Sequence, residues 1–368
     1  MKVYVVSSYP TEGCGVSKYT KQLIDGLKGN DVEVILGRIF FYREKKHLLA
    51  WFGFLYEVLR KRPDIVHVQY TPTICGPLFP LFLICLKPFR VKAKLVLTAH
   101  EKSSIYEKHL NIFTKLLFHL YETIIYRLTN KILVHTREHK NELLVKFKID
   151  AEKVETIPHG VDQAKEVTLL EKQKIRERYN LGNSVLITFL GAIRPNKGLE
   201  YLIAAFPKVL ERRKGLVLVI AGGASPSHAN YLGKLKSMVN DLELEGKVFF
   251  TGFVKDLDIP AIVSASKLMV LPYVHITQSG VLYREAITYE KPIIATDVGG
   301  MAKVVQEYRI GLTVPPKNSE VLAGAILDLL NDEKKLELFC RNERLLKEEL
   351  SWDNIAKLHH DTYGRLVT

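Results

Sequence analysis

LPYVHITQSGVLYREAITYEKPIIATDVGG, residues 271–300, decides the fold. It reads in order as the end of a buried strand, a polar loop, a helix carrying Glu285, a second buried strand at 292–296 and the Gly299-Gly300 turn. Strand, loop, helix and strand in that order belong to a parallel sheet with both faces covered. The order brings a loop, a helix N-terminus and one carboxylate to the carboxyl edge of the sheet. That edge is where α/β proteins hold small anionic ligands.

The same alternation runs outward from this stretch. Short β-branched runs stand at 2–7, 32–36, 65–69, 94–98, 131–135 and 153–157, then at 185–190, 216–221, 247–250, 267–271, 292–296 and 311–314. The alternation restarts after a charged, strandless segment, Gln163 to Ser184. Two doubly wound α/β domains in series are therefore expected, 1–162 and 163–352. The final SWDNIAKLHHDTYGRLV reads as a helix with Ser351 as N-cap and Asp353 in its first turn.

A chain of 368 residues with 47% apolar and 25% charged content suits two folded domains, each with its own core. Its four cysteines, Cys14, Cys75, Cys85 and Cys340, form neither a CxxC pair nor a zinc spacing, as expected in a reducing compartment. The chain begins on a strand, KVYVVS, with nothing resembling a signal peptide. The most apolar run, 74–86, is too short to span a bilayer and contains Pro77 and Pro80. It reads as a buried helix or as a segment dipping into a membrane interface. The net charge of +13 is uneven: residues 1–162 hold 25 Lys+Arg against 16 Asp+Glu, and residues 163–368 hold 28 against 24. The basic first half is either a solvated surface or the face of an anionic partner.

Three stretches carry phosphate-binding signals. In 11–23, Gly13 and Gly15 follow the first strand and precede a helix, as a tight turn or a phosphate loop would. A dinucleotide fingerprint would put a third glycine where Lys18 stands and an acidic residue where Gly37 and Arg38 stand, so a nicotinamide enzyme is not expected. In 189–206, Arg194 and Lys197 flank a turn between a strand end and a helix, an arrangement suited to a diphosphate. In the opening stretch, Gly280 allows close backbone approach at a helix start, and Glu285 could accept hydrogen bonds from ribose hydroxyls.

Taken in order, TAH at 98–100, IPHGVD at 157–162, IRPNKGLEYLI at 193–203, AGG at 221–223, FTGFV at 250–254, residues 271–300, IGLTVPP at 310–316 and SWDNIA at 351–356 resemble family 4 of the glycosyltransferases. The resemblance covers nearly the whole chain. It implies the GT-B fold: two Rossmann-like, doubly wound parallel-sheet domains facing a central cleft, with the last helix, 353–368, packing back on the first domain. It places the donor on the second domain and the acceptor on the first. The family's Glu-x7-Glu motif puts its second carboxylate on Glu285, as a ribose contact. Its first falls on Thr277, so the sugar-facing carboxylate is missing and Gln278 or Ser279 would meet sugar hydroxyls instead. The amides of Ser279, Gly280, Val281 and Leu282 would reach phosphate and sugar. Gly13, Gly15, Gly222, Phe253 and Val254 complete the implied donor contacts. His100 matches a histidine facing the reaction centre, although a histidine ending a strand is equally a buried structural one. Ala192 stands where an arginine is usual, His159 where an asparagine is, and Lys303 where an acidic residue is.

The implied reaction transfers a sugar from a nucleotide diphosphate donor to an acceptor hydroxyl with retention at the anomeric carbon. His100, Arg194 and Lys197 are its catalytic candidates, and neither metal nor cofactor is expected. The acceptor would be a glycan, lipid-linked or small-molecule hydroxyl. The protein would be cytoplasmic, with a peripheral place on the cytoplasmic face of an anionic membrane as the further expectation. Segment 105–131 bears on that last expectation: it interleaves Lys108, Lys115, Arg127 and Lys131 with Leu110, Phe113, Leu116, Phe118 and Tyr121. It is either a membrane-surface helix or a core-facing amphipathic one. A sugar-nucleotide epimerase of similar architecture is the alternative enzyme. A nucleic-acid-binding protein is the alternative outside catalysis, but the aromatic residues look core-forming, and no nucleic acid is expected.

Overall fold

The structure is a computed structural model that describes residues 1–7, 15–38, 47–71, 75, 79–86, 92–100, 111–276 and 279–368. Gly13, Thr277, Gln278, Lys108 and Leu110 lie outside the described residues. The chain forms two compact units, Met1–Gly160 with Leu350–Thr368, and Val161–Glu349.

In the first unit the strands are β1 (Lys2–Ser7), β2 (Glu33–Arg38), β3 (Ile65–Tyr70), β4 (Lys94–Ala99), β5 (Lys131–Val134) and β6 (Val154–Thr156). They form one sheet in the order β2-β1-β3-β4-β5-β6, and every pair is parallel. Between them run α1 (Gly15–Lys28), α2 (His47–Lys61), α3 (Phe79–Leu86), α4 (Ile112–Leu128) and α5 (Arg137–Lys146). β3, IVHVQY, is buried on both faces, as a central parallel strand under helices must be. Its core combines Val6, Val66, Val68, Leu97, Ile132 and Val134 from the sheet with Trp51, Phe54, Phe79 and Tyr126 from the helices.

In the second unit α6 (Leu169–Arg178) leads into β7 (Val185–Leu190), α7 (Leu199–Arg212), β8 (Leu216–Ala221), α8 (Ala229–Asp241), β9 (Val248–Phe250), α9 (Ile259–Ala265) and β10 (Ser266–Leu271). A π-helical turn (Leu282–Ile287), β11 (Ile293–Thr296), α10 (Gly299–Glu307), β12 (Gly311–Val314), α11 (Ser319–Asn331) and α12 (Glu333–Glu349) follow. The sheet order is β12-β11-β10-β7-β8-β9, all parallel. The order reverses between β7 and β10. By the general rule for open α/β sheets, the crevice for a ligand opens beyond the ends of those two strands.

The terminal helix α13 (Trp352–Val367) belongs to the first unit, where it packs on α1. The Ser351 hydroxyl accepts from the Asn354 N–H at 3.4 Å and so caps it.

One reading of the sequence is corrected. The amphipathic segment does not turn its apolar side to the core over its first turns. Asn111 caps α4, and Ile112 is 87% exposed, with Phe113, Leu116, Leu117 and Leu120 all at least half exposed. Only its C-terminal half, through Ile125 and Tyr126, enters the core. Among the described residues, no helix is long and apolar enough to cross a membrane.

Candidate functional site

The ends of β7 and β10 carry the cations and loops that the sequence singled out. After β7, the chain makes a short 3-10 turn, Pro195–Lys197, and enters α7 through Gly198. Gly198 has φ +63°, and a Cβ there would stand 2.1 Å from the Pro272 carbonyl oxygen. Only glycine permits that approach. The turn is thereby clasped to the loop after β10: the Val274 N–H donates to the Asn196 carbonyl at 2.9 Å, and the Asn196 side-chain amide donates to the His275 carbonyl at 3.3 Å.

The clasp places Lys197 Nζ 3.7 Å from the centroid of the Tyr273 ring. Burial, then the nearby Arg194 charge, push the lysine down to about 8. Arg194 is exposed on the same turn. Among the described residues no carboxylate pairs with either cation. Two like charges held together without a counterion form a site with an unmet demand for an anion.

Across from them, Ser279 is buried and its Oγ lies 3.3 Å from the Tyr273 hydroxyl. The Leu282 N–H donates to the Ser279 carbonyl at 3.1 Å and its side chain lies in the core. This corrects the expectation that the Leu282 amide is open to a ligand: the first turn has already used it. The amides of Ser279, Gly280 and Val281 remain the candidates. Glu285 sits in the π-helical turn, a departure from α-geometry often found at functional sites. It is not a lone carboxylate, because Arg284 pairs with it at 3.0 Å. Gly222 follows β8 with φ +146°, and a Cβ there would stand 2.0 Å from the Gly191 carbonyl oxygen. The loop after β9 leaves Phe253 exposed and Val254 buried.

The first unit builds a different edge. His67 and Gln69 alternate onto one face of β3, and His100 follows β4. His135, which follows β5, has Nδ1 3.0 Å from the Ile157 carbonyl, so that nitrogen must carry the proton and donate. Its Nε2 lies 3.3 Å from His100 Nδ1. His100 Nε2 lies 2.8 Å from Gln69 Oε1, an oxygen that only accepts, so this nitrogen carries the His100 proton and donates. Farther in, the Tyr363 hydroxyl lies 2.6 Å from His67 Nδ1, and Thr98 Oγ1 lies 2.7 Å from His67 Nε2. Tyr19 packs its ring against His100, His135, His159 and Trp352 at centroid distances of 4.9 to 5.2 Å. Burial and the neighbouring imidazoles push His100 down to about 3 and hold His67 and His135 well below the ordinary histidine range. The cluster is therefore neutral at physiological pH. His100 thus spends its one ring proton on Gln69, and its other nitrogen faces His135.

Two family profiles match the chain, "Glycosyltransferase Family 4" over residues 10–165 and "Glycosyl transferases group 1" over residues 171–345. The chain belongs to these glycosyltransferases.

The uncharacterized glycosyltransferase MJ1607 of Methanocaldococcus jannaschii is 27% identical over 97% of this chain and 96% of its own length. Alpha-D-kanosaminyltransferase of Streptomyces kanamyceticus is 30% identical over 57% of this chain, which spans 54% of that protein. Anabaena Alr3699/HepE, crystallised in complex with UDP, superposes with a TM-score of 0.76 at 18% identity, covering 99% of this chain and 100% of that one. The shared architecture is GT-B, two Rossmann-like domains.

The fold of this glycosyltransferase brings Arg194, Lys197, Ser279 and Gly280 to one sheet edge of the second unit. It places Gly15 at the start of α1 and His100 on the first unit's sheet. Sequence reasoning missed Tyr273, Gln69, His135 and Tyr363. The period of two in IVHVQY could have paired His67 with Gln69, but nothing local announces that Tyr273 lies under Lys197.

Proposed function

We propose that this glycosyltransferase moves a sugar from a nucleotide diphosphate donor to an acceptor hydroxyl, with retention, using protein cations in place of a resident metal. The observation that carries this reading is the pair Arg194 and Lys197 at the β7/β10 switch point, without a carboxylate partner among the described residues. As the bond from the anomeric carbon to the phosphate oxygen breaks, its electron pair stays on the diphosphate. Arg194, Lys197 and the amides of Ser279 to Val281 stabilise that charge where it grows. The acceptor oxygen attacks the same face, and its proton passes to the leaving phosphate oxygen. Glu285 accepts from the ribose once Arg284 yields. His100, neutral and with its ring proton already given to Gln69, orients a substrate rather than supplying a proton.

For the acceptor, we propose a lipid-linked or membrane-presented glycan on an anionic, cytoplasmic membrane face. The exposed row Ile112, Phe113, Leu116, Leu117 and Leu120 supports it, as does the basic excess of residues 1–162, 25 Lys+Arg against 16 Asp+Glu.

Thermal-shift screening against UDP, GDP, ADP and their sugars tests the donor, since a ligand of the folded state raises Tm by mass action. One nucleotide should do so; if none does at millimolar concentration, the donor reading fails. Co-sedimentation with anionic vesicles tests the surface: Phe113→Ser with Leu116→Ser should release the protein, and equal binding would remove the membrane contact.

A further inference from the structure

We propose that Tyr273 is the positioning residue of the diphosphate site: its ring face holds the Lys197 ammonium while its hydroxyl holds Ser279. One buried side chain thereby sets two groups that meet the phosphates. The inference rests on the donor reading above and extends it to a residue that makes no substrate contact of its own.

The geometry has three parts. Lys197 Nζ stands 3.7 Å from the ring centroid, close enough for the ring's negative face to attract the cation. The ring itself is immobile. Tyr273 is fully buried, its carbonyl accepts from the Thr296 hydroxyl at 2.5 Å, and Phe189 meets its ring edge-on. The Tyr273 hydroxyl lies 3.3 Å from Ser279 Oγ, so the same ring reaches the helix start across the switch point.

The chemistry explains why a ring serves here better than a carboxylate. An aspartate beneath Lys197 would neutralise it and compete with the diphosphate for the same protons. A tyrosine face carries no net charge. It steadies a long, flexible side chain and leaves its positive charge available to an anion. The ordering of the lysine is then complete before the ligand arrives, which lowers the cost of binding.

Three variants test this by calorimetric titration with UDP, GDP and ADP. Lys197→Ala sets the reference for losing the cation. Tyr273→Met fills the space without a π face and should weaken binding about tenfold. Tyr273→Phe keeps the face, loses the hydroxyl, and should restore binding to within about threefold. The alkaline limb of binding reports Lys197, which is faced by Arg194 from its own turn and by Tyr273 from the opposing loop. Its midpoint should move to lower pH in Tyr273→Met and stay in place in Tyr273→Phe. Wild-type binding by Tyr273→Met, beside a clear loss in Lys197→Ala, overturns the inference while leaving the donor site intact. Undiminished binding by Lys197→Ala overturns the donor reading itself. Should Tyr273→Met not fold, NMR of the wild type decides: the Lys197 ε-methylene protons, assigned by their loss in Lys197→Ala, should lie upfield of the other lysines. A bulk position would sink the proposal.

Discussion

Two edges of all-parallel, doubly wound sheets carry different electrostatics. At the end of β7, Arg194 and Lys197 stand without a carboxylate partner among the described residues. At the ends of β3, β4 and β5, His67, His100 and His135 turn both ring nitrogens to polar groups inside the protein and stay neutral. Doubly wound topology alone therefore does not make a site. The edge that can recruit an anion is the one whose charge the protein leaves unmet, while the other uses the same location to knit three strands and the terminal helix together.

The largest expected effect comes from opening the clasp under the cationic edge. Gly198→Ala places a Cβ 2.1 Å from a carbonyl oxygen in a left-handed conformation. It should cost about 3 kcal/mol in denaturant unfolding and weaken nucleotide binding as well. Next, Lys197→Ala should weaken nucleoside diphosphate binding about thirtyfold, roughly 2 kcal/mol, with Tm nearly unchanged. His135→Ala should do the reverse. Stability should fall by about 1.5 kcal/mol because Ile157 and His100 lose a partner, while nucleotide affinity stays. If His135→Ala lost nucleotide binding and kept its stability, the contrast between the two edges would collapse.

The smallest effect sharpens the contrast through pH. Histidines whose folded pKa is lowered contribute stability that is present above their unfolded value and lost as pH falls below about 6.5. The second unit holds the opposite case. Glu343 is fully buried, neither carboxyl oxygen has a hydrogen-bond partner among the described residues, and burial raises its pKa well above the carboxylate range. Its contribution is present below about 4.5 and lost as pH rises through its folded value. Glu343→Leu should stabilise the protein by about 1 kcal/mol at pH 7 and flatten that alkaline loss; an unchanged urea midpoint at pH 7 would count against it.

Much of this was legible locally. The strand runs are β-branched and bounded by polar turns, so all twelve expected strands appear, shifted by at most a residue or two at their ends. Arg194-Pro-Asn-Lys197-Gly198 announced a turn between strand and helix because proline and glycine restrict or free the backbone wherever they stand. The donor edge was half legible: the cations were visible, but not the ring beneath one of them. Leu282 was misjudged because its N–H closes a tight turn on the Ser279 carbonyl, and whether a turn closes that way is decided by the packing around it.

By itself, the sequence determined the alternation of elements, their parallel pairing and the glycosyltransferase family, because hydrophobic period and turn chemistry act over a few residues at a time. Only the tertiary structure decided which polar groups are satisfied and which are left wanting. Lys197 meets Tyr273, 76 positions away, and His67 meets Tyr363 across |i−j| of 296. The helix α4 turns leucine and phenylalanine outward although its pattern reads equally well facing in. Periodicity says that a helix has an apolar side; what lies against that side is settled by the rest of the chain.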